Sequence, residues 1–195
     1  MTRPGSRDRI AGAIVTEPTI PPETSDRLRS QVRDVPDFPK PGILFRDITP
    51  LLADAGGFQL AVASLTDLAR PARPELVVAI EARGFILGAA VALRLGCGFA
   101  PIRKPGKLPF RTRRRTYALE YGTDTQEMHE DAVRPGQRVV LVDDVLATGG
   151  TLASAVELVR ESGGTVAGCV VLVEISFLKG RARLPGVDVR SVLVY

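Results

Sequence analysis

The chain is 195 residues long, 45% hydrophobic and 25% charged. Such a composition belongs to a globular domain and excludes collagen-like, disordered and membrane-spanning classes for its bulk; folding at this length buries about 70% of the unfolded surface, enough for a self-sufficient core. The net charge of +4 conceals a cluster: Arg103, Lys104, Lys107, Arg111, Arg113, Arg114 and Arg115 put +7 into 13 residues, which leaves 19 basic against 22 acidic groups elsewhere, or −3. A basicity this local suits a compact polyanion such as pyrophosphate as well as it suits nucleic acid, and charge alone does not choose.

Residues 1–24 hold five prolines or glycines before Pro22 and no periodicity, which predicts a disordered leader ahead of a single domain over 25–195. Arg3, Arg7 and Arg9 are followed by no apolar stretch, so no signal peptide is read there. Thr24 or Ser25 can cap a short helix through about Arg33, after which the prolines at 36, 39 and 41 force an extended crossing. Phe58, Ala61, Val62, Leu65 and Leu68 repeat at helical spacing within Gly57 to Arg70. Leu76 to Ile80 is uniformly apolar, as a buried parallel strand should be. Gly84 to Leu95 reads as an apolar helix closed by Gly96, and Phe99 to Ile102 as a second strand. The longest apolar run, Gly84 to Ile102, is broken by Arg94 and falls short of the roughly 18 uncharged residues of a spanning helix.

Tyr117 to Tyr121 and Thr125 to Glu130 alternate around Gly122-Thr-Asp124, which predicts a hairpin. Val139 to Val142, Val166 to Val173 and Ser191 to Val194 complete the strands, and Thr151 to Ser162 forms a helix ended by Gly163-Gly164. Strands alternating with helices predict an α/β fold with a mostly parallel central sheet flanked by helices. Ligands of such sheets lie at the carboxyl ends of strands, here after Ile80, Ile102 and Val142. Cys97 and Cys169 lack CxxC spacing and lie in apolar surroundings, so they are expected as buried thiols in a reducing, cytoplasmic setting.

The strongest chemical signal is Val139-Val-Leu-Val-Asp143-Asp144-Val145-Leu146-Ala147-Thr148-Gly149-Gly150-Thr151. A buried strand delivers two carboxylates to its open end, and a loop then presents two glycines and two threonines at a helix start. Bare glycine backbone, the helix dipole and the Thr148 and Thr151 hydroxyls together make an anion cradle. Adjacent carboxylates would repel a phosphate but suit the hydroxyls of a sugar that carries one. No GxxxxGK[ST] and no GxGxxG occurs, so the common ATP and dinucleotide cradles are absent. Glu81-Ala82-Arg83-Gly84 likewise follows a buried strand and opens a helix, a second anion site by the same dipole argument.

These residues resemble the type I phosphoribosyltransferases. Phe38-Pro-Lys-Pro-Gly-Ile-Leu-Phe-Arg-Asp-Ile-Thr49, Glu81-Ala-Arg-Gly-Phe85 with Ile102-Arg-Lys-Pro-Gly-Lys-Leu-Pro109, and Tyr117-Ala-Leu-Glu-Tyr-Gly122 narrow the resemblance to the branch acting on adenine, over about residues 25–195. The resemblance implies a small hood at about 25–50, a mobile hairpin lid at about 103–130, and transfer of 5-phosphoribose from its 1-pyrophosphate to adenine, giving AMP and pyrophosphate. Asp143, Asp144, Ala147, Thr148, Gly149, Gly150 and Thr151 would hold the phosphate and ribose of the donor. Glu81, Ala82, Arg83, Arg103, Lys104 and Lys107 would hold pyrophosphate, Arg83 as a catalytic cation. Phe45 and Val145 would stack on adenine and the backbone of Leu44 and Arg46 would read its edge. Glu120 would manage the purine proton, although alternation alone makes it a solvated strand residue. The resemblance further implies Mg²⁺ carried mainly by the substrate with no direct protein ligand, a homodimer, and no membrane or nucleic-acid partner.

His129 is the sole histidine and is expected at the surface. Phe110-Arg-Thr-Arg-Arg-Arg115 departs from the usual pattern in charge, so its place in lid closure is open. Two other readings stay open at this point: transfer to another base such as hypoxanthine or guanine, or a nucleotide-sensing regulator whose arginines meet nucleic acid.

Overall fold

A computed structural model describes residues 20–118 and 122–195, the side chain of Ala118 excepted. The first helix, α1 (Pro22–Arg29), starts on a proline whose fixed φ suits the first helical position. It thus begins before the expected cap at Thr24 or Ser25 and ends four residues short of Arg33. Arg33 opens β1 (Arg33–Pro36), because the prolines that follow admit extended backbone and not helix. β1 pairs antiparallel with β2 (Leu44–Asp47), setting Asp34 against Arg46 and Val35 against Phe45 in a two-stranded hood.

A short α2 (Thr49–Ala53) leads into α3 (Ala55–Ala69), whose start is capped where Asp54 accepts from the Gly57 amide at 2.7 Å. Then come β3 (Leu76–Ile80), buried throughout, and α4 (Arg83–Leu95), closed by Gly96 at φ 71°. They are followed by β4 (Gly98–Ile102), β5 (Thr112–Ala118), β6 (Thr123–His129), β7 (Arg138–Leu146), α5 (Gly150–Glu161), β8 (Thr165–Glu174) and β9 (Val189–Val194).

The central sheet has the order β4-β3-β7-β8-β9, with every neighbouring pair parallel. Alternate residues of the inner strands feed two cores. Val77, Ala79, Val140 and Val142 pack under α3 and α4, whereas Val78, Ile80, Leu141 and Val171 pack under α5. Both faces of the sheet are covered, which is why its strands read as unbroken apolar runs. The chain leaves β3 toward β4 on one side and returns as β7 on the other, so the sheet changes winding direction between β3 and β7. Side chains and loops splay apart there, and a crevice opens at the strands' carboxyl ends.

The hairpin differs from expectation. Its strands are Thr112–Ala118 and Thr123–His129, with Arg114 opposite Glu127 and Tyr117 opposite Asp124. Arg113, Arg114 and Arg115 therefore lie in a paired strand, ahead of the Tyr117 start that alternation suggests. Cys169 is buried and Cys97 half-buried, and both are free thiols. Among the described residues no helix is long and apolar enough to cross a membrane.

Candidate active site

The crevice between β3 and β7 widens into a cavity of about 560 Å³. β7 runs on past its apolar stretch as far as Leu146, and so carries Asp143 and Asp144 into the cavity wall as buried strand residues. The Asp144 amide donates to Asp143 Oδ1 at 2.9 Å. Burial first, and the neighbouring Asp144 charge second, push the Asp143 carboxyl well above the usual carboxylate range, against smaller opposing pulls from the Asp144 amide hydrogen bond and then Arg83. Arg83, the first residue of α4, reaches 61 positions along the chain to ion-pair through Nε with Asp144 Oδ2. Helix and strand meet closely here: a Cβ on Gly84 would stand 2.8 Å from Asp143 Oδ1.

Beyond Leu146 the chain turns through Gly149 at φ 84°, and α5 starts at Gly150 without a side-chain cap. Its first amides thus carry no side-chain cap and are of the kind that can meet an anion. Ala147, Thr148, Gly149 and Thr151 wall a small recess of about 60 Å³ beside this helix start, and Ala147 and Thr151 also face the main cavity.

Glu81 and Ala82, joined by a cis peptide bond, form the opposite lip with Arg83. Glu81 accepts from Arg103 Nε at 2.7 Å, and Arg103 Nη1 donates to the Lys107 carbonyl at 3.1 Å. Arg103, Lys104 and Glu81 border a further cavity of about 140 Å³ with Tyr117, Gln126 and Thr151. Lys104 spans this cavity to an ion pair with Asp124 of β6. Lys107 lines neither cavity; only its carbonyl is drawn in.

Leu44, Phe45, Arg46 and Val145 come together on one wall of the main cavity. Phe45 is held edge-on by Phe38, with ring centroids 5.1 Å apart, and the Arg83 guanidinium carbon stands 5.4 Å from its ring centre. The Arg46 side chain points away, pairing with Asp34 and lying 4.0 Å from the centre of the Tyr195 ring. That arrangement leaves the Arg46 main chain as its contribution to the wall.

Ile175, Phe177 and Leu178 also line this cavity, and Phe177 is 75% exposed. Nothing in the sequence singles them out, because three apolar residues after a strand carry no chemical signature. Tyr117 is a second omission: its hydroxyl lies 3.0 Å from an Asp124 oxygen and 3.3 Å from Thr151 Oγ1. Glu120 lies outside the described residues. His129 Nε2 accepts from the Phe110 amide at 3.4 Å, and lines neither cavity.

The phosphoribosyl transferase domain family matches this chain over residues 65–188. The adenine phosphoribosyltransferase of Acidobacterium capsulatum is 60% identical over 168 residues, spanning 86% of this chain and 93% of that one. The chain belongs to the adenine phosphoribosyltransferase family. An adenine phosphoribosyltransferase structure from Thermoanaerobacter pseudethanolicus superposes with a TM-score of 0.86 at 49% identity, covering 87% of this chain and 99% of that one. The enzyme of this family from Saccharomyces cerevisiae, solved with D-2,5-dideoxy-2,5-imino-altritol 1,6-bisphosphate and adenine, gives a TM-score of 0.83 at 36% identity, covering 87% and 98%. Membership in the adenine phosphoribosyltransferase family thus agrees with a crevice that offers an acidic strand end, an uncapped helix start and an aromatic wall to one ligand.

Proposed function

We propose that the chain transfers 5-phosphoribose from 5-phosphoribosyl 1-pyrophosphate to adenine, forming AMP and pyrophosphate in purine salvage. The observation that carries this reading is the meeting of three features in one crevice: the carboxylate pair Asp143–Asp144, the uncapped start of α5, and the Phe45 wall. The 5-phosphate fits the cradle Ala147-Thr148-Gly149-Gly150-Thr151, where amides and the helix dipole meet an anion. Asp143 and Asp144 then face the ribose hydroxyls, and adenine stacks on Phe45 and Val145 with its edge toward the main chain of Leu44 and Arg46.

The bond from ribose C1 to the pyrophosphate oxygen breaks as the bond to a purine nitrogen forms, and positive charge gathers on the ribose. Arg83, Arg103 and Lys104, beside Glu81 and Ala82, favour the departing negative charge, with Lys107 following on the same strip. Asp143 and Asp144 offset the positive ribose. Glu120 is assigned the purine proton.

A donor that brings its own Mg²⁺ fits these residues. Among the described residues no three His, Cys, Asp or Glu groups are placed to hold a metal, and Glu81 and Asp144 are already paired with arginines. Such an ion would supply charge neutralisation on the pyrophosphate.

We also infer a cytoplasmic homodimer. Ile86 and Leu93 on α4 and Phe99 on the edge strand β4 are 46%, 84% and 37% exposed, an apolar surface of the kind a second copy covers. Sedimentation at micromolar concentration tests the dimer. The activity is tested by AMP formation from the donor with adenine, hypoxanthine and guanine in parallel: adenine alone should react, and turnover with another base or with none overturns the assignment.

A further inference from the structure

The phosphate cradle does not stand alone. Its back leans on the 3-10 turn Gly180–Arg183, which follows β8 by way of a residue in the left-handed region, Lys179 at φ 54°. The contact is backbone to backbone. A Cβ on Gly149 would collide with the Gly180 carbonyl oxygen and stand 3.1 Å from Gly180 Cα. A Cβ on Gly180 would collide with the Ala147 carbonyl oxygen and stand 2.7 Å from Leu146 Cδ1. Two glycines thus let the turn and the cradle touch with no side chain between them.

The Arg181 side chain clamps the turn. Arg181 presents its fork to Glu174, with Nε to Oε1 at 2.7 Å and Nη2 to Oε2 at 2.8 Å. Its Nη1 donates to the Val189 carbonyl at 2.6 Å. Ser191 Oγ hydrogen-bonds the same Glu174 carboxylate and lies 3.3 Å from Arg181 Nη2. Glu174 is the last residue of β8 and is buried, and the Arg181 hydrogen bond is the chief reason that its carboxyl sits below the usual range. One guanidinium therefore fixes the turn to the ends of β8 and the start of β9 at once. A bidentate arginine on a buried carboxylate has one preferred geometry, which a lysine cannot reproduce.

We propose that Arg181, held by Glu174, is a positioning residue for donor binding: it fixes Gly180, and Gly180 sets the height of the cradle Ala147–Gly149. This inference rests on the proposed reading that the cradle holds the donor's phosphate. Neither residue lines the base wall or borders the pyrophosphate cavity. Loosening the clamp should act on the donor and spare adenine.

The test uses the full chain and steady-state kinetics with each substrate varied in turn, plus thermal melts to confirm folding. Gly180→Ala should raise KM for the donor about tenfold or more, since displacement of a phosphate-binding loop costs binding directly. Arg181→Lys and Glu174→Gln should raise it about three- to tenfold, and the double variant should be no worse than the poorer single one, as for two halves of one device. KM for adenine should stay within about twofold in all of them, the spread of a contact not made. A purely structural role would lower the melting temperature and the amount of active enzyme while leaving both KM values alone, and that result overturns the proposal. Thr148→Ala and Thr151→Val serve as the control on the cradle. If they too leave donor KM unchanged, the reading of the cradle falls; if they raise it and Gly180→Ala does not, the positioning role alone is overturned.

Discussion

The Tyr117 hydroxyl of the hairpin reaches Thr151 Oγ1 at 3.3 Å, joining β5 to the first turn of α5. Burial pushes this phenol up to about 12, so it keeps its proton throughout the working pH range. A threonine that the donor's phosphate is expected to use is therefore shared with the hairpin. Tyr117→Phe should loosen the hairpin by about 1 kcal/mol, the worth of a neutral hydrogen bond, which is roughly a fivefold faster amide exchange along β5 and β6. Exchange protection in the parent, corrected for the intrinsic rate, should be flat between pH 6 and 9. Unchanged exchange in the Phe variant would show that the contact does not hold the hairpin.

Asp143 and Asp144 set function against stability. Asp143→Asn together with Asp144→Asn should cripple donor binding, because each charge-assisted hydrogen bond to a ribose hydroxyl is worth about 1.5–3 kcal/mol. Donor affinity within twofold of the parent would remove the assignment. The sign for stability runs the other way. Asp143 has a folded carboxyl value raised above its unfolded one near about 3.9, so folding takes up a proton and stability drops as pH rises from there to the folded value. The penalty grows across that interval, so it is larger at pH 7 than at pH 4. Asp143→Asn alone should then melt about 2–4 °C higher at pH 7, the shift for about 1 kcal/mol in a chain of this size, with no gain at pH 4. Calorimetry at the two pH values checks it.

What the sequence discloses, and what it withholds, follows from how far apart the partners lie. The phosphate cradle is legible because strand, carboxylates, glycines and helix start are contiguous from Val139 to Thr151. The Arg83–Asp144 pair is not, since 61 residues separate its members and only the winding of the sheet brings them together. β1 and β2 are four-residue strands in a proline-rich stretch, too short for alternation to show. β5 is hidden for a different reason. Its cross-strand partners for Arg114 and Tyr117 are Glu127 and Asp124, so the strand is held by ion pairs and hydrogen bonds where an apolar face would have announced it. The Arg181–Glu174 clamp escapes because a charged residue in a turn looks like any solvated one.

Glu120 is the residue proposed to manage the purine proton. Glu120→Gln should lower kcat far more than it raises KM for adenine, because a group that manages a proton acts mainly in the transition state. General acid–base groups contribute about 10²- to 10⁴-fold, and the loss should fall in that range. Full turnover in the variant would remove that role from Glu120.

The arginine run is where pairing decides which charge can act at a distance. Arg114 Nε lies 2.5 Å from Glu127, a buried acid, and Arg115 Nη1 lies 2.5 Å from Glu161 on α5. Their charges are largely met by those carboxylates, whereas Arg113 is exposed on the same strand. Replacing all three with Ser should weaken donor capture at low salt and flatten its salt dependence, since exposed charges act through a screening length of about 8 Å at physiological ionic strength. Single substitutions should divide the effect. Arg113→Ser should reproduce most of the change in salt slope. Arg114→Ser should instead lower the melting temperature, because it strips the ion pair from buried Glu127, and Arg115→Ser should speed exchange of the β5 amides by releasing the hairpin from α5. Adenine KM, which rests on stacking and main-chain contacts, should hardly move in any of the four. Donor capture measured from 20 to about 300 mM salt reads the first pair of outcomes. Identical salt profiles for the parent and the triple variant would remove any electrostatic role for the run and leave its arginines as fasteners of the hairpin.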